Sequence, residues 1–233
     1  MFKGYSKEAI VFLKKLRNNN NKQWFEAHRG DYEEFLLLPT RELVTALGEF
    51  MHSIDPNFEI RPVINKTISK IYRDTRFSKN KTLLKTSIWI TFKRPTNDWK
   101  EAPAFYFEVT PDGYRFGMGF YGATSATMKI FRAMIDKYSS EFNEAIAFLS
   151  KQKTISLVGD DYKKILDETK PKAVQDWYQK KSFYLVCDRK VDDILFSEKL
   201  VKDLKVNFKL LIKIYRFLLE VKLEQLKNNK KLE

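Results

Sequence analysis

The 233-residue chain has few of the side chains that form disulfides and metal centres, with one cysteine and two histidines. A single cysteine cannot form a disulfide within the chain, which favours a reducing compartment and predicts a cytoplasmic protein. Cys187, His28 and His52 are the only soft ligands in the sequence. They are too few for a structural zinc site, so we expect no bound metal.

Long apolar runs are also missing. Lys213 and Arg216 interrupt the C-terminal apolar stretch, so we expect no membrane-spanning helix. The first residues are not followed by the apolar region of a signal peptide, and we therefore do not expect a secreted precursor. No glycine-rich or proline-rich linker divides the sequence. Length and patterning together predict a single domain over residues 1–233.

The spacing of apolar residues changes along the chain from helical to alternating. Residues 6–54 carry apolar side chains three and four positions apart, which predicts helices. Residues 88–92 and 103–121 alternate, and the turn-forming residues 111–113 predict that the second stretch is an antiparallel hairpin. An earlier strand is predicted over about residues 67–73.

Helical spacing returns at Ser125 and again near the C-terminus. Two short strands are predicted near residues 155–158 and 183–187. A long C-terminal helix is predicted to start at Ser197, because an apolar stripe runs from Leu200 to Leu219. This order predicts an α+β fold with a largely antiparallel sheet, flanked by N-terminal helices and a long C-terminal helix.

Positive charge is concentrated in two segments of a chain whose net charge is +13. Residues 66–94 carry nine basic side chains against one acidic side chain, Asp74, and residues 197–233 carry ten against five. A local excess of this size attracts anions such as phosphate or nucleic acid. For the C-terminal segment we favour the simpler interpretation, a solvated helix face.

Residues 70–87 combine cations with hydroxyl groups at short spacing. Arginine binds planar oxyanions bidentately, lysine adds mobile charge, and hydroxyls donate neutral hydrogen bonds. We therefore predict an anionic ligand, phosphate-bearing or nucleic acid. The candidate ligand-binding residues are Arg73, Asp74, Arg76, Lys79, Lys81, Lys85 and, as candidates for the same face, Arg115 and Tyr121. The alternative is structural: Asp74 pairs with Arg76, and the lysines are solvated.

Two functions of other classes remain open from the sequence. An enzyme acting on a phosphorylated or carboxylated small molecule would use Asp74 or Glu108 as acid or base. A protein-interaction module would use the long C-terminal helix and an aromatic surface. The sequence has no recognisable nucleophile or base pair, which weighs against the enzyme. It does not indicate an oligomeric state.

Three features that resemble reactive or cofactor-binding groups have simpler explanations. Gly117, Gly119 and Gly122 have the spacing of a dinucleotide-binding fingerprint, but the first two lie within an alternating strand, so we predict no cofactor. Because glycine has no side chain, Gly117 and Gly119 leave one face of the strand open to the close approach of a neighbouring segment. His28 lies on an apolar stripe and is expected to pack or cap, and Cys187 is expected to be a buried thiol.

Four stretches carry motifs that occur together. They are residues 12–26; residues 71–79 with their continuation at 81–82 and 85–86; the hairpin residues Pro111, Gly113, Gly117, Gly119 and Tyr121; and residues 181–183. Over most of the chain they resemble the conserved hypothetical protein family catalogued as domain of unknown function 2461. The resemblance implies the fold of that family, which has no assigned activity to carry over.

The chain departs from the usual pattern of this family within residues 70–87, which we call the basic segment. Asn80 stands where an aspartate is customary, Leu83 where a proline is, and Ser87 where a histidine is frequent. The Gly-Tyr and Asp-His-Pro motifs expected before Lys181 are replaced by residues 171–177. A reaction that required the missing histidine or aspartate would be absent from this chain.

Overall fold

In the computed structural model, which describes residues 1–76 and 81–230, the chain has an α+β fold with an antiparallel sheet. The strands are β1 (Ile88–Phe92), β2 (Pro103–Thr110), β3 (Gly113–Phe120), β4 (Ser156–Val158) and β5 (Tyr184–Lys190), in the order β1-β2-β3-β5-β4. The predicted hairpin is confirmed as β2 and β3, and β4 pairs with β5 so that Leu157 faces Leu185.

Helices precede and follow the central strands along the chain. The first group is α1 (Lys7–Asn18), α2 (Lys22–Ala27), α3 (Arg29–Asp31), a π-helical segment (Tyr32–Leu37) and α4 (Leu38–Ile54). The later ones are α5 (Ser125–Lys137), α6 (Ser139–Ile146), α7 (Lys172–Tyr178), α8 (Lys199–Leu210) and α9 (Ile212–Lys230). The long C-terminal helix consists of α8 and α9, which meet at Leu211. Within the described ranges, no helix has the length and apolar character needed to cross a membrane.

The N-terminal helices follow the apolar spacing of the sequence, with one irregularity. Leu13 and Leu16 of α1 are fully buried, and Asn21 caps α2 by accepting the Trp24 N–H at 2.9 Å. The wide π turn lies directly before α4, whose second residue is Pro39. Proline has no N–H to donate to the carbonyl four residues earlier, so the helix passes into α4 through this wider turn.

The predicted strand over residues 67–73 is wrong, because this stretch pairs with two partners in succession. Ser69 donates its N–H to the Trp89 carbonyl at 2.9 Å, and Thr91 donates to the Thr67 carbonyl at 2.8 Å, so residues 67–69 lie along β1. Residues 71–73 pair instead with residues 83–85. The chain changes partner between the two, which leaves short bridges in place of a strand.

Contacts within the chain divide it into two units. Unit 1 comprises Met1–Phe92, Tyr106–Phe116 and Asp188–Val206, and unit 2 comprises Lys93–Phe105, Gly117–Cys187 and Asn207–Glu233. In unit 1 the buried Tyr5 shares a 2.8 Å hydrogen bond with the Thr40 hydroxyl, and its ring stacks on Phe107. The core of unit 2 is aromatic and includes Phe120, Phe131, Phe142, Trp177, Phe183 and Phe217. That the whole chain forms one cooperative domain stays a prediction.

The structure agrees with the simple explanations given for the strand glycines, for His28 and for Cys187. Gly119 lies inside β3, where a Cβ would come within 2.6 Å of the Tyr184 Cα, so the close approach is that of strand β5. The ring of His28 stacks on Trp24 with 4.1 Å between centroids, and its Nδ1 lies 2.8 Å from the Trp24 carbonyl. Cys187 is 1% exposed. The predictions for His28 and Cys187 are confirmed.

The loop after α4 contains a carboxylate whose ionisation stabilises unit 1. The side chain of Glu59 is 7% exposed and accepts hydrogen bonds from the Arg61 Nε at 2.8 Å and Nη2 at 2.5 Å. These bonds lower the pKa of Glu59 to about 2. Because the folded pKa lies below the unfolded one, the contribution is complete above the unfolded pKa and is lost as the pH falls through about 2.

We therefore expect the difference in unfolding free energy between the wild type and Glu59→Gln to be largest near neutral pH. It should shrink steadily from about pH 5 downward, because protonation of Glu59 removes the same interaction in the wild type. Urea denaturation across this range measures it. Glu49→Gln, at an exposed position of α4, is the control and should show little change with pH. A difference for Glu59→Gln that is independent of pH would contradict the prediction.

Candidate functional site

The basic segment forms a small hairpin whose two sides meet at Tyr72 and Leu84. The backbone N–H groups of Arg73 and Lys85 each donate across the hairpin, at 2.9 and 2.8 Å. Side chains alternate between the faces of extended chains, so Arg73 and Lys85 share one face while Tyr72 and Leu84 share the other. Leu84 is 1% exposed, whereas Arg73 and Lys85 remain partly exposed. The hairpin thus buries Ile71 and Leu84 and leaves Arg73 and Lys85 partly accessible.

A side chain of the asparagine tract holds this hairpin against the N-terminal helices of unit 1. The Asn20 Nδ2 donates to the Leu84 carbonyl at 2.9 Å, and the Leu84 N–H donates to the Asn20 Oδ1 at 2.9 Å. One amide therefore satisfies both backbone groups of a buried residue, as a neighbouring strand would. The Tyr72 hydroxyl donates to Glu26 at 3.1 Å, and its ring meets Phe25 edge-on.

Replacing Asn20 with alanine is expected to lower the free energy of unfolding by about 1–3 kcal/mol, because the Leu84 N–H and carbonyl lose their partner while buried. Urea denaturation measures the loss. Asn18→Ala is the matched control, since Asn18 lies exposed at the end of α1 and should change stability by no more than about 0.5 kcal/mol. Equal losses at the two positions would show that Asn20 does not hold the hairpin.

A buried ion pair lies on strands β2 and β3 of unit 1. Glu108 is 6% exposed, and the Arg115 Nε donates to its carboxylate at 2.5 Å. The Arg115 guanidinium also lies over the indole ring of Trp89, 4.9 Å from the ring centroid, and Tyr106 lies 5.5 Å from the same ring. Each of these four residues alternates with fully buried apolar neighbours, so they share one face of the sheet.

Lys85 lies within electrostatic reach of this ion pair. Partial burial lowers the pKa of the Lys85 ammonium, the positive charges of Arg73 and Lys70 lower it further, and the Glu108 carboxylate opposes the shift. Like charges disfavour one another's ionised forms, so holding these side chains together costs stability. We call Lys70, Arg73, Lys85 and Arg115 the basic cluster.

The predicted partners Asp74 and Arg76 form a surface ion pair. The Arg76 Nε and Nη2 donate to the two Asp74 carboxylate oxygens at 3.0 and 2.7 Å, and the arginine side chain is 77% exposed. These hydrogen bonds lower the pKa of Asp74 to about 2. The pair of the structural interpretation is present, but it is solvated, and exposed pairs contribute little to stability.

The other predicted site residues lie in different surroundings. The Lys81 Nζ donates to the Thr75 carbonyl at 2.9 Å in an exposed hydrogen bond. Lys79 lies outside the described residues. Tyr121 belongs to unit 2, where it is 74% exposed and its ring lies 5.1 Å from that of Trp99.

In the structure, four residues outside the predicted ligand-binding set adjoin it: Lys70, Glu108, Trp89 and Asn20. In the sequence, Lys70 stands out only as part of the charge excess, and Glu108 only as a candidate acid or base. The one sequence signal for Asn20 is the run of four asparagines from the last residue of α1 to the start of α2, which is longer than a helix end requires. Spacing alone does not indicate which of the four reaches the hairpin.

The sequence has two acidic doublets, at residues 160–161 and 192–193, and one member of each has a structural partner. Asp192 accepts hydrogen bonds from the Tyr114 hydroxyl and the Leu195 N–H, each at 3.1 Å, and Asp161 pairs with Lys180 at 3.0 Å. In the part of the chain that the structure describes, no three histidine, cysteine, aspartate or glutamate side chains come together to hold a metal ion. The candidate site offers cations, one carboxylate and aromatic rings.

The residues of the candidate site lie within a stretch of the chain that matches a known protein family. A family model described as "Conserved hypothetical protein (DUF2461)" matches residues 8–217, a span that contains the hairpin, the basic cluster and Asn20. A search of curated proteins finds no match. Because the family model covers most of the sequence, the chain belongs to the conserved hypothetical protein family DUF2461.

Proposed function

We propose that the chain is a cytoplasmic protein that binds a phosphate-bearing anion through the basic cluster. The grouping of the cations carries the proposal: Arg73 and Lys85 share one face of the hairpin, Lys85 lies within electrostatic reach of Glu108, and Arg115 is bonded to that carboxylate. Glu108 supplies one negative charge within a cluster of four positive ones. An anion bound among these side chains would relieve their mutual repulsion.

Phosphate suits this set of donors because it takes several hydrogen bonds at once. A guanidinium donates to two phosphate oxygens in one plane, and an ammonium adds a point charge. Thr86 and Ser87 follow Lys85 directly and are partly exposed, so neutral hydroxyl donors adjoin the cations. Partial burial of Lys85 strengthens its attraction for an anion, since less water screens the charge.

Lys85→Gln and Arg73→Gln are each expected to weaken the binding of inorganic phosphate by about 10- to 100-fold, the range expected for loss of one charged hydrogen bond. Calorimetric titration at an ionic strength of about 0.15 M measures the affinity. Lys14→Gln removes the same charge from an exposed position on α1 and should leave the affinity within about two-fold, because screening weakens distant surface charges.

Arg76→Gln provides a second comparison, because Arg76 is exposed and already bonded to Asp74. A loss as large as that of Lys85→Gln would place the binding site at the hairpin loop instead. Absence of phosphate binding by the wild type, or equal losses for Lys14→Gln and Lys85→Gln, would overturn the proposal.

The enzyme alternative gains little from Asp74. Its carboxylate accepts two hydrogen bonds from Arg76, and its pKa is lowered to about 2. A carboxyl group with so low a pKa is ionised at neutral pH and is a weak base, so it is poorly suited to general acid or base catalysis.

A further inference from the structure

We infer that the bound anion carries a flat aromatic group, so that the ligand is a nucleoside phosphate, either a free nucleotide or part of a single-stranded nucleic acid. The inference rests on the proposed function and deepens it. It adds an aromatic part to the site, formed by Trp89 and Tyr106 on the same sheet face as Arg115 and Glu108.

Trp89 is held in place from several sides while remaining partly exposed. Its carbonyl accepts the Ser69 N–H at 2.9 Å, and its own N–H donates to the Ser69 hydroxyl at 3.1 Å. The Arg115 guanidinium lies over its ring, and the Tyr106 ring lies beside it, tilted by 42°. An aromatic surface that is already fixed loses little conformational freedom when a ligand stacks on it.

The aromatic and cationic parts of the site are joined through one carboxylate. Arg115, which lies over Trp89, is bonded to Glu108, and the Glu108 carboxylate lies within electrostatic reach of Lys85. Lys70 follows Ser69 directly, so a third cation adjoins the residue bonded to Trp89. Nucleic-acid and nucleotide sites combine these elements: bases stack on aromatic and guanidinium planes, while cations bind the phosphate.

The experiment compares ligands that share a phosphate and add first the sugar and then the base. The intact protein is titrated with inorganic phosphate, ribose 5-phosphate and adenosine 5′-monophosphate, and binding is followed by calorimetry and tryptophan fluorescence. We expect the nucleotide to bind about 5- to 100-fold more tightly than ribose 5-phosphate, the range for stacking of one base.

Trp89→Leu should abolish this preference for the nucleotide, while ribose 5-phosphate binds as before. Trp24→Leu is the matched control, because Trp24 is also partly exposed in unit 1 and stacked, in its case on His28. It should retain the preference. Trp89→Phe keeps an aromatic ring and should retain part of it, which covers the case in which Trp89→Leu does not fold.

The outcomes separate this inference from the proposed function. Equal affinities for the nucleotide and ribose 5-phosphate, with phosphate binding still sensitive to Lys85→Gln, would overturn the aromatic part and leave the phosphate site standing. Retention of the nucleotide preference in both Trp89→Leu and Trp89→Phe would also overturn it. Absence of phosphate binding would overturn the proposed function as well.

A single-stranded oligothymidylate of about ten nucleotides distinguishes the two sources of the ligand. If the physiological ligand is nucleic acid, the oligothymidylate should bind more tightly than the mononucleotide. Its binding constant should also fall with salt concentration, with a log–log slope of about −0.7 for each phosphate contacted. A slope of about −0.7 or shallower, with no gain in affinity over the mononucleotide, assigns the site to a free nucleotide.

Discussion

Replacing Arg115 with alanine is expected to lower the free energy of unfolding by about 3 kcal/mol, because it leaves the Glu108 carboxylate buried without its partner. Glu108 is 6% exposed, and Arg115 donates to it at 2.5 Å. An isolated charge in such a place costs far more than one at the surface. Urea denaturation in phosphate-free buffer measures the loss.

Two comparisons show whether the buried charge is the cause. Arg17→Ala removes an arginine of the same unit that pairs with Asp112 at 2.7 Å, but both side chains are exposed, so the loss should stay below about 1 kcal/mol. Adding Glu108→Gln to Arg115→Ala should restore part of the stability, since no unpaired charge then remains. A loss below about 1 kcal/mol for Arg115→Ala would mean that the pair has no structural role.

Phe131→Ala should lower the free energy of unfolding by about 3–5 kcal/mol, the usual cost of deleting a fully buried phenyl ring. Phe131 is 0% exposed and lies at the centre of the unit 2 aromatic core, with ring centroids 5.0 Å from Phe183 and 5.7 Å from Phe142. The substitution leaves a cavity lined by rigid aromatic rings, which cannot move far enough to fill it. Phe131→Leu retains much of the volume and should lose considerably less.

The same variant tests the prediction that residues 1–233 unfold as one domain. If they do, calorimetry should show a single transition displaced downward by about 6–20 °C. Tryptophans in unit 1 and unit 2 should report the same midpoint. Splitting of the transition in Phe131→Ala, with unit 1 melting at the wild-type temperature, would show that the two units unfold separately.

The fold class could be predicted because its signals are local. Alternation over residues 103–121 with the turn at 111–112 is sufficient for the β2–β3 hairpin, and the spacing of Leu13 and Leu16 is sufficient for the buried face of α1. The predicted strand at 67–73 failed because pairing depends on which partner the chain meets. Residues 67–69 meet β1 and residues 71–73 meet residues 83–85, and neither pairing is visible in local sequence.

The candidate site could be predicted only in part, for the same reason. The charge excess indicates Arg73 and Lys85, and alternation assigns Arg115 to the polar face of its strand. The sequence pointed to Arg76 and Asp74 as the ion pair with a structural role. In the structure that pair is exposed, and the buried ion pair is Arg115 with Glu108. Burial depends on contacts between distant segments, so the number of charges in a stretch of sequence does not indicate how deeply any one side chain is buried.

The pairing of residues 67–69 along β1 also bears on how the protein behaves when it is concentrated. β1 and β4 are the two edges of the sheet. An open strand edge is a template on which another chain can add a strand, and proteins avoid aggregation by covering such edges or keeping them short. Here residues 67–69 already occupy one edge, and β4 at the other is three residues long. Self-association by strand addition is therefore disfavoured, and a concentrated sample should stay free of β-rich aggregates while it remains folded.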